Sequence, residues 1–182
     1  MIKNSWFRLF VWLDGLSASL GLAQLHSVQL FWSIFMPRAV RFHQHGGPEV
    51  LRIETVGVAP PARNEVQIRV KALGLNRAEA LLRRGTYIET ASFPSGLGLE
   101  AAGIVEAVGE DVANLTPGGA VSIVPPISMV RWPAYAELAN FPAALVVRHP
   151  PELGFEAAAA VWMQYLTAYG ALVDIAGLGR GD

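Results

Sequence analysis

Cysteine is absent from the 182 residues, which excludes a disulfide framework, a thiolate nucleophile, an iron–sulfur cluster and any zinc site built on thiolates. Excess charge of one sign is missing too. The 14 Lys and Arg are offset by 15 Asp and Glu for a net charge of −1, without a basic run, so no stripe exists to neutralise phosphates and nucleic acid is not expected as a partner. The chain is too short for two large domains. Polar, highly charged composition of the disordered kind is also lacking: 52% of residues are hydrophobic, with 18 Gly and 12 Pro, a globular and turn-rich balance. No internal repeat stands out.

Charge is thin at the start. Lys3, Arg8 and Asp14 are the charged residues of 1–36, so a boundary is expected near Met36 and Pro37. Residues 15–36 carry no formal charge, long enough to cross a ~30 Å hydrocarbon layer as a helix. Ser17, Ser19, Gln24, His26, Ser27, Gln29 and Ser33 interrupt that stretch, and basic residues flank it on both sides, leaving orientation unset. A secretory signal fits no better, because Asp14 breaks the apolar run 9–13. The segment reads as an apolar extension outside the fold, membrane association is not expected, and the chain is expected in the cytoplasm. A membrane-tethered binding module remains the competing reading.

From Pro37 onward, residues 65–72 alternate apolar and polar side chains over eight positions, the period of a half-buried strand. Shorter strands are expected at 39–43, 50–56, 103–108, 120–124 and 135–139, divided by Gly46-Gly47-Pro48, Pro60-Pro61 and Thr116-Pro117-Gly118-Gly119. Many short strands with such turns suggest a barrel or sandwich. One short helix interrupts them: Asn76 can cap it, Glu79 stands three residues on as in a capping box, and Gly85 closes it. After Pro150-Pro151, the Ala-rich stretch 155–175 reads as one or two helices ending near Gly177.

Five segments resemble a known family. Phe42-His43-Gln44-His45-Gly46-Gly47-Pro48-Glu49-Val50-Leu51, then Gly74-Leu75-Asn76-Arg77-Ala78-Glu79, then Arg84-Gly85-Thr86-Tyr87 are similar to the amino-terminal half of the zinc-independent quinone oxidoreductases of the medium-chain dehydrogenase/reductase superfamily. Ser95-Gly96-Leu97-Gly98-Leu99-Glu100-Ala101-Ala102-Gly103 resembles its Gly-x-Glu-x-x-Gly segment, and Leu166-Thr167-Ala168 its Leu-Thr-Ala segment. The resemblance runs collinearly over 37–182. It implies a mainly β fold with a few helices (α+β), a GroES-like, partly open β-barrel at 37–160, and helices at 161–182 leading toward a nucleotide-binding domain. It also implies NADPH-dependent reduction of quinones or related enones by hydride transfer.

Zinc-holding cousins resemble the chain at the same places but carry Cys and His as ligands where Asn76 and Leu99 stand here. An amide replaces a thiolate poorly, and an isobutyl group has no lone pair. Without a Lewis acid an alcohol is hard to ionise, whereas a quinone or enone is already electrophilic. Hydrogen-bond donors then stabilise the negative charge that grows on oxygen. Asn76 and Tyr87 are the candidate catalytic donors. By resemblance, Gln164 and Thr167 lie near the cofactor, and Leu81, where relatives often have Tyr, makes the pocket more apolar.

Each site residue has a plainer explanation. Asn76 can be only a helix cap, Tyr87 only a packed ring with a wet hydroxyl, and Thr167 only a side chain bonded to a carbonyl one turn back. Glu100 reads as a structural carboxylate pairing with backbone or Arg. His43 and His45 share a strand face but lack a third ligand, so no metal is expected. Gly177-Leu178-Gly179-Arg180-Gly181 is not a dinucleotide fingerprint, because it follows a helix rather than a strand. The 182 residues are therefore expected to bind NADPH weakly or not at all, and to self-associate through the exposed carboxy-terminal helix. An inactive GroES-like fragment or binding module with no catalysis alone is the alternative.

Overall fold

The computed structural model of the chain describes residues 36–150 and 152–181. The uncharged stretch 15–36 lies outside the described residues, apart from Met36. Residues Pro37–Asp182 form one compact unit.

The long strand is the organising element. β3 (Glu65–Gly74) spans ten residues, and its alternation buries Val66 and Ile68 on one face. It is the second of five strands, because its two edges pair antiparallel with β4 (Glu100–Val108) and β6 (Leu138–Pro142). β5 (Ala120–Ile123) and β7 (Val146–Arg148) extend the sheet beyond β4, giving the order β6-β3-β4-β5-β7. A separate ribbon forms from β1 (Arg38–Arg41) and β2 (Arg52–Thr55), with Arg38 opposite Thr55 and Arg41 opposite Arg52. Bridges from Ala39 to Ala136 and from Phe42 to Ser95 join ribbon and sheet. The fold is thus mainly β with short helices, and both sheets are open; no closed barrel forms among the described residues.

Helix α1 (Arg77–Arg84) starts and stops at the expected residues. Asn76 at its N-cap is extended, and Gly85 ends it in the left-handed region at φ 75°, where a residue without Cβ is strain-free. The stretch 155–175 is broken into α2 (Phe155–Ala158), α3 (Trp162–Tyr169) and a π-helical turn, Gly170–Ile175. Two further differences have local causes. Residues 135–137 link the two sheets, Tyr135 N–H donating to Leu97 O and Ala136 meeting Ala39, so β6 begins at Leu138. β7 is three residues long, too short to show a period.

The main core lies on one face of the five-stranded sheet, built from Val66, Ile68, Val105, Val121, Ile123 and Phe141. A second cluster sits under α1 and gathers Phe42, Leu82, Leu97, Leu99 and Met129, with Tyr87 and Met163 packed against it. The buried members of a third are alanines: Ala102 of β4 meets Ala158 and Ala159 at the end of α2, with Leu153 and Phe155 packed against them.

Candidate functional site

Strand β3 ends at Gly74 and α1 begins at Arg77, so Asn76 stands where a strand edge turns into a helix N-terminus. Its backbone N–H donates to Glu79 Oε2 at 2.8 Å, one arm of the capping box. Its side chain also reaches elsewhere: Asn76 Nδ2 donates to Glu100 Oε2 at 2.9 Å. Cap and site readings of Asn76 are therefore compatible, because backbone and amide have different carboxylate partners.

Two buried carboxylates surround this asparagine. Glu79 also accepts from Leu99 N–H at 3.2 Å, tying the helix start to the entry of β4. Burial holds its carboxyl above the ordinary value, against a downward pull from N–H donors at Glu79, Asn76 and Leu99. Glu100 is 1% exposed, and its second oxygen, Oε1, accepts from Met163 N–H at 2.7 Å. Met163 is the second residue of α3, and Val161 at the N-cap has no side-chain acceptor to offer. A helix end needs partners for its first N–H groups, and a glutamate 63 positions away supplies one. Glu100 thus pairs with backbone, as expected; its other partner is an amide rather than an Arg.

Tyr135 closes the back of this cluster. Its hydroxyl faces Gly74 O at 3.5 Å, and burial together with Glu79 and Glu100 pushes its pKa up, so it stays a protonated donor. Gly74 itself is hemmed in: a Cβ there would lie 2.3 Å from Ala159 O and 2.7 Å from Glu100 Oε2. Sequence reasoning missed Tyr135 because nothing in its local spacing marks it.

Tyr87 is half-buried against the cluster that contains Leu99 and Met129, and Met163 packs on the same cluster. Its hydroxyl has no hydrogen-bond partner among the described residues. The next loop positions are tied down, since Glu89 accepts from Ser128 Oγ and from Met129 N–H at 3.1 Å. Leu81 is partly buried on α1.

Gln164 and Thr167 are exposed on α3. Thr167 Oγ1 donates to Met163 O at 2.6 Å, the one-turn-back bond that its plainer reading describes. Among the described residues no hydrogen bond joins either residue to Asn76 or Tyr87; the link between the two halves is Glu100. The outer face of the C-terminal helical segment is apolar, with Tyr165, Leu166, Tyr169, Leu172 and Ile175 exposed.

These groups can donate hydrogen bonds to an electron-rich oxygen, and both buried carboxylates already accept from N–H donors. Leu99 is buried in apolar company, His43 Nε2 lies 2.5 Å from Glu54, and His45 Nδ1–H faces Arg83 O at 3.3 Å. No group of three His, Cys, Asp or Glu suited to a metal occurs among the described residues. For a dinucleotide, Gln164 and Thr167 are exposed polar side chains, but the strands here pair antiparallel, and no strand–glycine turn–helix unit that would seat a pyrophosphate is present among the described residues.

Comparison with known proteins gives one direction. Residues 62–151 match the alcohol dehydrogenase GroES-like domain. Quinone oxidoreductase 1 of Escherichia coli is 40% identical over 134 residues, covering 74% of this chain and 39% of that protein. The crystal structure of E. coli quinone oxidoreductase complexed with NADPH superposes with a TM-score of 0.66 at 38% identity, over 74% of this chain and 40% of the other. Human synaptic vesicle membrane protein VAT-1 homolog-like protein gives 0.74 at 34% identity, over 80% and 45%. The chain spans about two fifths of the length of the curated relatives it matches.

Proposed function

The chain belongs to the quinone oxidoreductase family through its alcohol dehydrogenase GroES-like domain at 62–151, and from that premise we propose that it forms the acceptor side of a reductase acting on quinones or related enones without zinc. When bound, NADPH supplies the hydride. The residues of this chain bind and polarise the acceptor: Asn76 and Tyr87 donate to the oxygen on which charge grows, each such donor lowering the barrier by about 3 kcal/mol in comparable sites. Gln164 and Thr167 flank the nicotinamide, and Leu81 keeps the pocket apolar.

The observation that carries this reading is the Asn76 amide held by buried Glu100, next to a Leu99 that cannot ligate. That pairing favours a hydrogen-bonding site over a metal centre. Metal analysis of purified protein together with titration by menadione tests it. We expect no stoichiometric zinc and a saturable quench of tryptophan fluorescence whose affinity Asn76→Ala weakens about tenfold. Tightly held zinc, or quinone binding indifferent to Asn76 and Tyr87, overturns it.

A second reading concerns the 182 residues by themselves. Lacking a pyrophosphate seat among the described residues, they bind NADPH weakly and reduce nothing alone, acting as a GroES-like module, and the exposed apolar face of α3 draws them into self-association. Micromolar NADPH binding followed by nicotinamide fluorescence overturns that. A cytoplasmic location belongs to the same proposal. No helix among the described residues is long and apolar enough to cross a membrane, and recovery of the full chain in the membrane pellet refutes the location.

A further inference from the structure

Among the described residues, Glu100 is the side chain that hydrogen-bonds to both halves of the candidate site. Its carboxylate is almost wholly buried, no Lys or Arg among the described residues pairs with it, and its two oxygens are divided: one takes the Asn76 amide at 2.9 Å, the other the Met163 N–H at 2.7 Å. A buried carboxylate without a counter-cation is costly unless its lone pairs are filled. Here they are filled by groups from two different helix starts. Asn76 opens α1 and Met163 lies in the first turn of α3, whose own N-cap, Val161, is mute. The surroundings prevent drift: Gly74 leaves no room behind Oε2, and Tyr135 bonds Gly74 O from the far side.

We propose that Glu100 is a positioning residue that couples the Asn76 amide to the start of α3, so that one carboxylate sets both the direction of the acceptor-polarising N–H and the placement of the helix carrying Gln164 and Thr167. The inference rests on the reading of Asn76 as acceptor donor; the coupling itself rests only on geometry. Because an amide nitrogen carries two hydrogens, Glu100 holds one and leaves the other for the acceptor. The grip also fixes which end of the amide is nitrogen, since a carbonyl oxygen facing the carboxylate would repel it.

A swap of chemical groups separates this role from simple packing. Glu100→Gln disturbs the pattern: its oxygen can hold Met163 N–H only by a neutral bond, and its NH2 meets the Asn76 NH2 unless that amide turns over and aims its N–H away from the acceptor. Adding Asn76→Asp restores it with reversed polarity: in the double variant the amide NH2 at position 100 donates to the carboxylate at position 76, the amide oxygen still accepts from Met163, and the local charge is unchanged. The experiment follows amide exchange at Met163 in the full chain, with menadione binding read in parallel. In Glu100→Gln, exchange at this amide speeds up about tenfold, as loss of a charge-assisted bond implies. In the double variant it slows again by about threefold or more relative to Glu100→Gln, because the position-76 carboxylate holds the position-100 amide with its oxygen toward Met163, while menadione binding stays weakened about tenfold or more, because the amide donor is gone. Unchanged exchange in Glu100→Gln overturns the proposal, as does a swap that fails to slow it again. If Glu100→Gln does not fold, the swap alone decides: a folded swap with protected α3 supports the coupling and an unfolded one overturns it. A parent chain that binds no menadione refutes the acceptor reading, while the exchange pattern still decides the coupling.

Discussion

Replacing Gly74 by alanine adds one methyl group at the most crowded point of the site. The added Cβ would lie 2.3 Å from Ala159 O and 2.7 Å from Glu100 Cβ and Oε2, where ordinary contacts sit at ~3.5–4 Å. The carbonyl belongs to the α2–α3 junction and cannot yield without shifting that segment off the sheet, an overpacking cost of ~1–3 kcal/mol. Displacing Glu100 loosens two charge-assisted hydrogen bonds, and losing one costs a further ~1.5–3 kcal/mol. A combined loss of about 3–5 kcal/mol is a large part of the ~5–15 kcal/mol that holds a domain folded. At ~2–4 °C per kcal/mol for this size, Tm falls by roughly 10–15 °C. Thermal unfolding followed by far-ultraviolet circular dichroism measures it, with Gly57→Ala as control, because a Cβ at Gly57 meets nothing within 4 Å and should be neutral or stabilising by ~0.4–1 kcal/mol. A Gly74→Ala protein melting within about 2 °C of the parent would refute the reasoning.

Other outcomes follow from burial and charge. Burial holds the Glu79 carboxyl above its ordinary value of 4.5. A carboxyl that binds its proton more tightly in the folded state stabilises fully below its unfolded pKa, and that contribution is lost as pH rises through the folded value. The Tm of the parent should therefore fall relative to Glu79→Gln as pH rises from about 4 to about 7, and parallel curves would count against the assignment. Leu82→Ala empties a fully buried position under α1, costing ~2–5 kcal/mol by chemical denaturation, and a cost below about 1 kcal/mol would mean that cluster is loosely packed. Tyr165→Asp and Ile175→Asp place charge on the exposed apolar face and should lower the mass seen by light scattering at high concentration; an unchanged mass excludes that face as the contact.

Legibility in the sequence followed the range of the interaction. Alternation along β3 and the Asn76–Glu79–Gly85 punctuation of α1 are encoded within a few residues, and both elements lie where those signals point. The strand β7 carries three residues, shorter than any period, and the shift of β6 to Leu138 depends on Tyr135 and Ala136 bonding distant segments. The site divides the same way. Asn76 announced itself as a cap, whereas its grip on Glu100 spans 24 positions, and the bond from Glu100 to Met163 ends on a backbone N–H that any residue type but proline would provide. Tyr135 owes its place to Gly74, 61 residues earlier, and no local pattern foretells such a meeting.

The all-alanine seam between β4 and the end of α2 sets how near that segment rests on the sheet. Ala102, Ala158 and Ala159 meet there through methyl groups, with Leu153 and Phe155 packed around them, so the three alanines act as a thin shim. Putting a valine at one of them would overfill a buried seam and push the end of α2 off the sheet. The placement of α3, which follows within a few residues, is thus open to adjustment by substitutions buried from solvent.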